Sequence, residues 1–409
     1  YLDASGGAAV SCLGHSDETV KDAIKKQTEK LAFAHTSFFT NDPAEKLANL
    51  LAENSPKGLN KVYFVSSGSE AVEASLKLAR QYFIEIGEPE RHRVISRKQS
   101  YHGNTLGALA AGGNVWRRSF FEKILVDTSL ISPCYPYRHQ KVNETELDYG
   151  LRVANELEEE IIRLGPQNVM AFIAETVVGA TAGALTPVPG YFKRIREICD
   201  QYNILLILDE VMCGMGRTGS LFACEEENII PDIVTIAKGL GAGYQPIGAM
   251  LCQDFIYDAI ANGSGFFQHG HTYLGHPIAC AASLAVVTKL INENMCKKVK
   301  DKGEMLQKIL ERDLGQNQFV GDIRGRGLFR GVEIVKDRST KEPFSRKLNI
   351  ANNIKKEALN LGLICYPMQG TVDGIIGDHI LIAPPFIINE DEINEISSKL
   401  KTTIENICN

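Results

Sequence analysis

Ile204-Leu205-Leu206-Ile207-Leu208-Asp209-Glu210-Val211 decides the reading of the fold. Five apolar residues in a row make a strand that is apolar on both faces, the habit of a sheet covered by helices on both sides. Residues 62–65, 94–96, 169–174, 233–237 and 247–251 repeat this short apolar pattern. Longer helical patterns alternate with them. One runs over 69–85, with Val72, Leu76, Ala79 and Phe83 on one face, and another over 191–202. Such alternation implies an α/β large domain with a mostly parallel sheet. Asp209 and Glu210 close the quoted strand, and open α/β sheets bind ligands outside the carboxyl ends of their strands. An Asp that caps a loop accounts for Asp209 equally well.

Near residue 300 the pattern changes. A helical stretch runs to about 314, a glycine-bearing β-rich run covers 322–335, and helix, short strand and helix follow. This predicts a smaller α+β domain over 301–409, joined by residues 1–44, with the large domain spanning 45–300. The 409 residues exceed one domain and leave room for a large core. A net charge of −6, from 44 basic and 50 acidic residues, disfavours a nucleic-acid footprint. No uninterrupted apolar run approaches the 18 or so residues of a membrane span. Ten cysteines without a C-x-x-C pair, several inside apolar runs, read as reduced core thiols, so an intracellular, cytoplasmic setting is expected. The chain opens on Tyr1 within a strand-like run, so a preceding segment is expected, and any targeting signal would lie in it.

Three segments carry chemistry. In Ser66-Ser67-Gly68-Ser69-Glu70-Ala71 a strand gives way to a helix through small residues, a junction whose free N–H groups suit a phosphate. A Ser N-cap with Glu70 and Glu73 in the first turn needs no ligand and reads the same residues. In Asp232-Ile233-Val234-Thr235-Ile236-Ala237-Lys238-Gly239-Leu240-Gly241-Ala242-Gly243, Lys238 closes an apolar strand and three glycines follow. Desolvation at such a strand end lowers a lysine's pKa toward a nucleophilic amine of Schiff-base type, whereas a snorkelling lysine is the plainer reading. With Asp209 at the end of another strand, the three together match the needs of pyridoxal phosphate. Those needs are a phosphate cradle, an anion for the pyridine nitrogen and a lysine for the carbonyl. No metal is expected: His269, His271 and His276 lack a companion cysteine or carboxylate at ligand spacing.

On these residues the chain resembles the class III, or ω-type, pyridoxal-phosphate aminotransferases of fold type I, from Tyr1 to about Glu392. Tyr101-His102-Gly103 resembles the family's aromatic-His-Gly turn, which implies that Tyr101 stacks on the cofactor with His102 beside it. Glu175 resembles the Glu on the cofactor's hydroxyl side, and Val211 the residue against the opposite ring face. Gly68 and Ser69 would hold the phosphate, Asp209 the ring nitrogen and Lys238 the carbonyl. The 269–277 segment resembles one that sends a Thr, here Thr272, to the phosphate of the neighbouring subunit, which implies a homodimer.

The resemblance implies a ping-pong transfer of an amino group, through pyridoxamine phosphate, from an ω-amine or amino acid to a small oxo acid such as pyruvate. Met212 after Asp-Glu-Val, where the ornithine and γ-aminobutyrate branches carry Gln, points to the branch acting on ω-amino acids and simple amines. The 373–379 segment resembles one that often carries an Arg for the substrate carboxylate, and here it has none. Arg324, Arg326 and Arg330 are the substitutes by motif, Arg330 foremost, although a structural role fits each. Phe38 and Phe39 resemble the aromatic edge of the substrate entrance. A mutase or decarboxylase on the same fold shares the cofactor residues. A nicotinamide-dependent oxidoreductase would instead use Gly214-Met215-Gly216-Arg217-Thr218-Gly219 and leave Lys238 inert.

Overall fold

The computed structural model describes residues 1–409. After a two-residue strand, β1 (Leu2–Asp3), the main sheet is built from seven strands. These are β2 (Lys61–Val65), β3 (Arg93–Arg97), β4 (Thr128–Ile131), β5 (Val169–Glu175), β6 (Leu205–Asp209), β7 (Ile233–Ile236) and β8 (Gly248–Cys252). Their spatial order is β2-β8-β7-β6-β5-β3-β4. Only β8 runs against its neighbours, and the pairs from β7 across to β4 are parallel. Every residue of β5, β6 and β7 is buried, as their unbroken apolar runs require when helices cover both faces. The parallel arrangement brings the carboxyl ends of β2, β5, β6 and β7 to one edge, where Ser66, Glu175, Asp209 and Lys238 sit.

The helix Gly68–Glu85 starts one residue before the expected position because Ser67 caps it. Ser67 Oγ accepts from the Glu70 N–H at 3.2 Å, and Glu70 Oε2 accepts from the Ser66 N–H at 2.6 Å. Its buried face runs through Val72, Ser75, Leu78, Ala79 and Phe83, while Leu76 is only partly buried. Spacings of three and four residues make one stripe, and Leu76 lies at its rim.

The β-rich run of 322–335 is a hairpin of β9 (Val320–Arg326) and β10 (Phe329–Ile334), turning at Gly327, whose φ of +53° favours glycine. Three strands, where one was expected, separate the last two helices: β11 (Leu363–Ile364), β12 (Tyr366–Gln369) and β13 (Asp378–Ile382). The first two are too short to show an alternating pattern, and Pro367 within β12 argues against a strand there. A four-stranded antiparallel sheet, β12-β13-β10-β9, results. The N-terminal segment touches both units: β1 pairs in parallel with β11, and the helix Glu18–Lys30 packs on Pro277–Asn292.

Buried charge joins the two sheets. Glu333 on β10 is wholly buried and accepts from Arg324 Nη1 at 2.6 Å, from Arg138 Nε at 2.7 Å and from the Tyr135 hydroxyl. Arg324 also donates to the carbonyls of Gly183 at 2.9 Å and Ala182 at 2.6 Å, in the segment that follows β5. The glycine run 214–219 serves the same junction, because Arg217, fully buried, donates to the Leu328 and Pro384 carbonyls at 3.0 and 2.6 Å. No helix opens there to receive a pyrophosphate.

Candidate active site

A cavity of about 470 Å³ opens at the carboxyl edge of the main sheet. The Ser66–Ser69 turn, the Tyr101–Gly103 turn, Glu175, Asp209, Val211 and Lys238 all line it. The phosphate-type turn sits on one side, where Gly68 and Ser69 occupy the first helical turn and their N–H groups have no intrahelical acceptor. Gly68 makes this approach possible: a Cβ there would lie 2.7 Å from Val211 Cγ1. Ser69 Oγ accepts from the Asn104 N–H at 3.1 Å, which ties the two turns together.

The floor is acidic and paired. Glu175 and Asp209 are register partners at the ends of β5 and β6. His102 Nδ1 lies 2.8 Å from Asp209 Oδ2, and Asp209 Oδ1 accepts from the Val211 N–H at 3.0 Å. Burial, with the neighbouring Asp209 charge, pushes the Glu175 carboxyl up to about 7 against the pull of His102 and Arg97. Lys238 leaves β7 with φ +44°, a left-handed conformation that side-chain-bearing residues seldom adopt. Burial holds its ammonium below the ordinary lysine value although Asp209 and Glu175 pull the other way. Lys238, Asp209 and Glu175 line the same cavity, so the lysine amine lies beside anything bound over Asp209.

Several expected site residues lie elsewhere. Thr272 lines a second hollow, of about 780 Å³, with Thr36, Tyr63 and His271. Phe38 and Phe39 are exposed and line neither space within one chain. Arg330 is corrected from a substrate residue to a buried brace. It donates to the carbonyls of Gly303, Gly325 and Gly327 at 2.9, 2.6 and 3.0 Å and to Gln307 Oε1 at 2.9 Å. Arg324 is spent on Glu333, and Arg326 is paired with Glu227 at 2.5 Å. Val10, Val177 and Gln245 line the cavity without having been singled out. Val10 comes from the N-terminal segment, and nothing local in its sequence announces that long-range approach.

The family model for Aminotransferase class-III matches residues 1–404. The chain belongs to the class III aminotransferases. An uncharacterized aminotransferase of Schizosaccharomyces pombe is 48% identical over 98% of this chain and 88% of its own length. One of Bacillus subtilis, also uncharacterized, is 41% identical over 99% and 90%. The crystal structure of a thermostable (S)-enantioselective omega-transaminase from Thermomicrobium roseum superposes with a TM-score of 0.93 at 34% identity, covering 99% of this chain and 88% of that one. The fold is therefore that of the fold type I transaminases, and the family depends on pyridoxal phosphate. The protein is an aminotransferase, which sets aside the oxidoreductase reading of the 214–219 glycines.

The residues present fit that cofactor. The cavity offers unpaired N–H groups for an anion at Gly68 and Ser69, a buried carboxylate at Asp209 and an amine at Lys238. Buried and without a partner, His102 Nε2 and Glu175 Oε2 await a polar ligand on the floor.

Proposed function

We propose that this aminotransferase moves an amino group from an ω-amine or an amino acid to a small oxo acid such as pyruvate, with Lys238 as its proton carrier. Bound pyridoxal phosphate supplies a carbonyl that takes the amine and a ring that withdraws electrons from the donor's carbon. Gly68 and Ser69 would hold its phosphate, Asp209 its ring nitrogen, Tyr101 and Val211 its two faces, and Lys238 its carbonyl, with His102 and Glu175 bracing the floor. Once the donor amine displaces it from that carbonyl, Lys238 Nζ would take a proton from the donor carbon and return it on the other side of the transfer, a role that burial favours by disfavouring the ammonium. Val10, Val177 and Met212 add apolar wall beside the polar Gln245, which supports donors with hydrocarbon bodies. The likeness to a structure described as an omega-transaminase supports the same donor class.

Further parts of the reading are a homodimer in which Thr272 reaches the partner's phosphate site, domains divided near residues 44 and 300, and an intracellular, cytoplasmic setting. Exposed Phe38, Phe39, Phe266 and Tyr273 around the second hollow support the dimer, and ten free cysteines support the setting.

The observation that carries the function is Lys238 at a strand end, facing Asp209 across a cavity with an anion-type turn at its side. Borohydride reduction of the yellow holoenzyme, followed by peptide mapping, should leave the cofactor on Lys238. A label on another lysine overturns the assignment. A donor panel read by single half-reactions tests the substrate class. Rapid turnover of aspartate or ornithine with no reaction of simple amines overturns that part alone.

A further inference from the structure

Two adjacent arginines on one short helix, Val115–Arg118, are used in opposite ways. Arg118 is spent on the main chain. Its Nη1 donates to the carbonyls of Leu109 at 3.3 Å, Gly112 at 2.7 Å and Ala110, and so pins this helix to the end of the preceding one. Arg117 makes no ion pair, and only its backbone N–H is engaged, by Asn114 Oδ1 at 3.3 Å. Its guanidinium carbon lies 4.4 Å from the centroid of the Tyr101 ring and 4.9 Å from that of Trp116. Stacking occupies the faces of a guanidinium and leaves the N–H donors at its edge pointing outward in a planar fork. Arg117 is thus a half-buried cation, held in place, with its donors unspent.

Its position is equally specific. Tyr101 lines the Lys238 cavity, and the Arg117 charge contributes to lowering the Lys238 pKa. The helix also touches the segment that lacks an arginine. A Cβ on Gly374 would lie 3.2 Å from Val115 Cβ, and Gln99 Nε2 donates to the carbonyls of Gly370 and Thr371 at 2.5 and 2.9 Å. Segment 370–377 therefore closes against the helix two residues before Arg117. Since Arg324, Arg326 and Arg330 are committed elsewhere, Arg117 is the free guanidinium next to this place.

Resting on the aminotransferase reading of the cavity, we propose that Arg117 receives the carboxylate of the oxo acid, and of amino-acid donors, at the Tyr101 side of the Lys238 cavity. A carboxylate meets the edge of a stacked guanidinium through two parallel hydrogen bonds, which fixes its direction as well as its charge. Donors without a carboxylate then forgo this contact and rely on the apolar wall.

Trp116 is the only tryptophan in the chain, so its emission reports on this place alone. The holoenzyme is titrated with propionate, an inert carboxylate, and with propionamide, its neutral counterpart. A saturable change with propionate and none with propionamide is expected, with affinity for propionate falling about 10- to 100-fold in Arg117→Gln, as for loss of a hydrogen bond to a charged group. Arg117→Lys should recover only part, because it restores charge without the fork. In turnover, the ratio of kcat/KM for alanine over isopropylamine, in which a methyl group replaces the carboxylate, should fall by a similar factor in Arg117→Gln. General damage to the site lowers both and leaves the ratio alone. No saturable response in the native enzyme, an equal response in the variant, or an unchanged ratio each overturns the proposal. So does loss of bound cofactor with carboxylate dependence intact, which would assign Arg117 to the phosphate. If the native enzyme transaminates nothing, the function fails, while the propionate titration still decides the role of Arg117.

Discussion

Replacing Gly68 by alanine tests whether the turn at the end of β2 is shaped for a bound phosphate and ring rather than merely for a helix start. The new Cβ would lie 2.7 Å from Val211 Cγ1, 3.0 Å from Cγ2 and 3.5 Å from Cβ. Carbon atoms at rest sit at about 3.5–4.0 Å, so Cγ1 must move by about 0.8 Å and Cγ2 by about 0.5 Å while the third contact is already ordinary. Gly68 is in the first helical turn, which alanine tolerates, so the effect is steric and falls on the two walls of the cavity. Overpacking of this kind costs about 1–3 kcal/mol, and where the turn and Val211 relieve it by moving out of their cofactor-binding positions, up to that much appears as lost cofactor affinity, about 5- to 150-fold. Val211→Ala removes both offending methyls. Alone it should cost about 1.5 kcal/mol, from two methyl groups at about 0.8 kcal/mol each. In the double variant the clash is gone, so its loss should match that of Val211→Ala. The coupling between the two sites should then equal the full cost of Gly68→Ala. Absorbance titration of apoenzyme with pyridoxal phosphate measures all four Kd values. Additive losses, with coupling under about 0.5 kcal/mol, would refute the contact and with it the close packing of Gly68 on Val211.

Asp209→Ala should lower kcat by about 10²- to 10³-fold while cofactor binding falls far less, since a preorganised charge acts most where charge develops, and near-native turnover would dismiss that role. Thr272→Ala should weaken cofactor retention about 10- to 100-fold in a dimer, read by dialysis and sedimentation, and a fully active monomer would contradict the shared site. Glu333→Gln should cost about 3–5 kcal/mol in urea unfolding, because Arg324 and Arg138 lose their buried anion. Burial raises the Glu333 pKa, but Arg324 and Arg138 outweigh it and hold it below the ordinary value. The wild-type contribution is therefore complete above the unfolded carboxyl pKa of about 4.3 and is lost as pH falls through the lower folded value. A variant with unchanged stability and acid response would remove the network from the junction.

How much could be read before the structure depended on range. Asp209, Lys238 and the Ser66–Ser69 turn were legible because each is announced by its own neighbours. An unbroken apolar run marks the strand, and the residue at its carboxyl end lies where parallel sheets open to ligands. The 322–335 run was legible as β-rich but not as a hairpin, and only one of the three strands after residue 362 was legible, since β11 and β12 span two and four residues and Pro367 breaks the pattern of β12.

Local sequence likewise could not say what an arginine is for. Arg324, Arg326 and Arg330 sit in one motif and were all candidates for a carboxylate, but folding spends the donors of Arg324 and Arg330 on carbonyls and carboxylates and pairs the charge of Arg326 with Glu227. Arg117, beside an arginine that is consumed in the same way, keeps its donors because aromatic rings rather than oxygens flank it. Patterns within a few residues were enough for the α/β class, for the edge of the sheet where ligands bind and for Asp209 and Lys238 as candidates there. Which cations remain free and which elements wall the cavity emerge with the folded chain, because hydrogen-bond partners are set by segments distant in sequence.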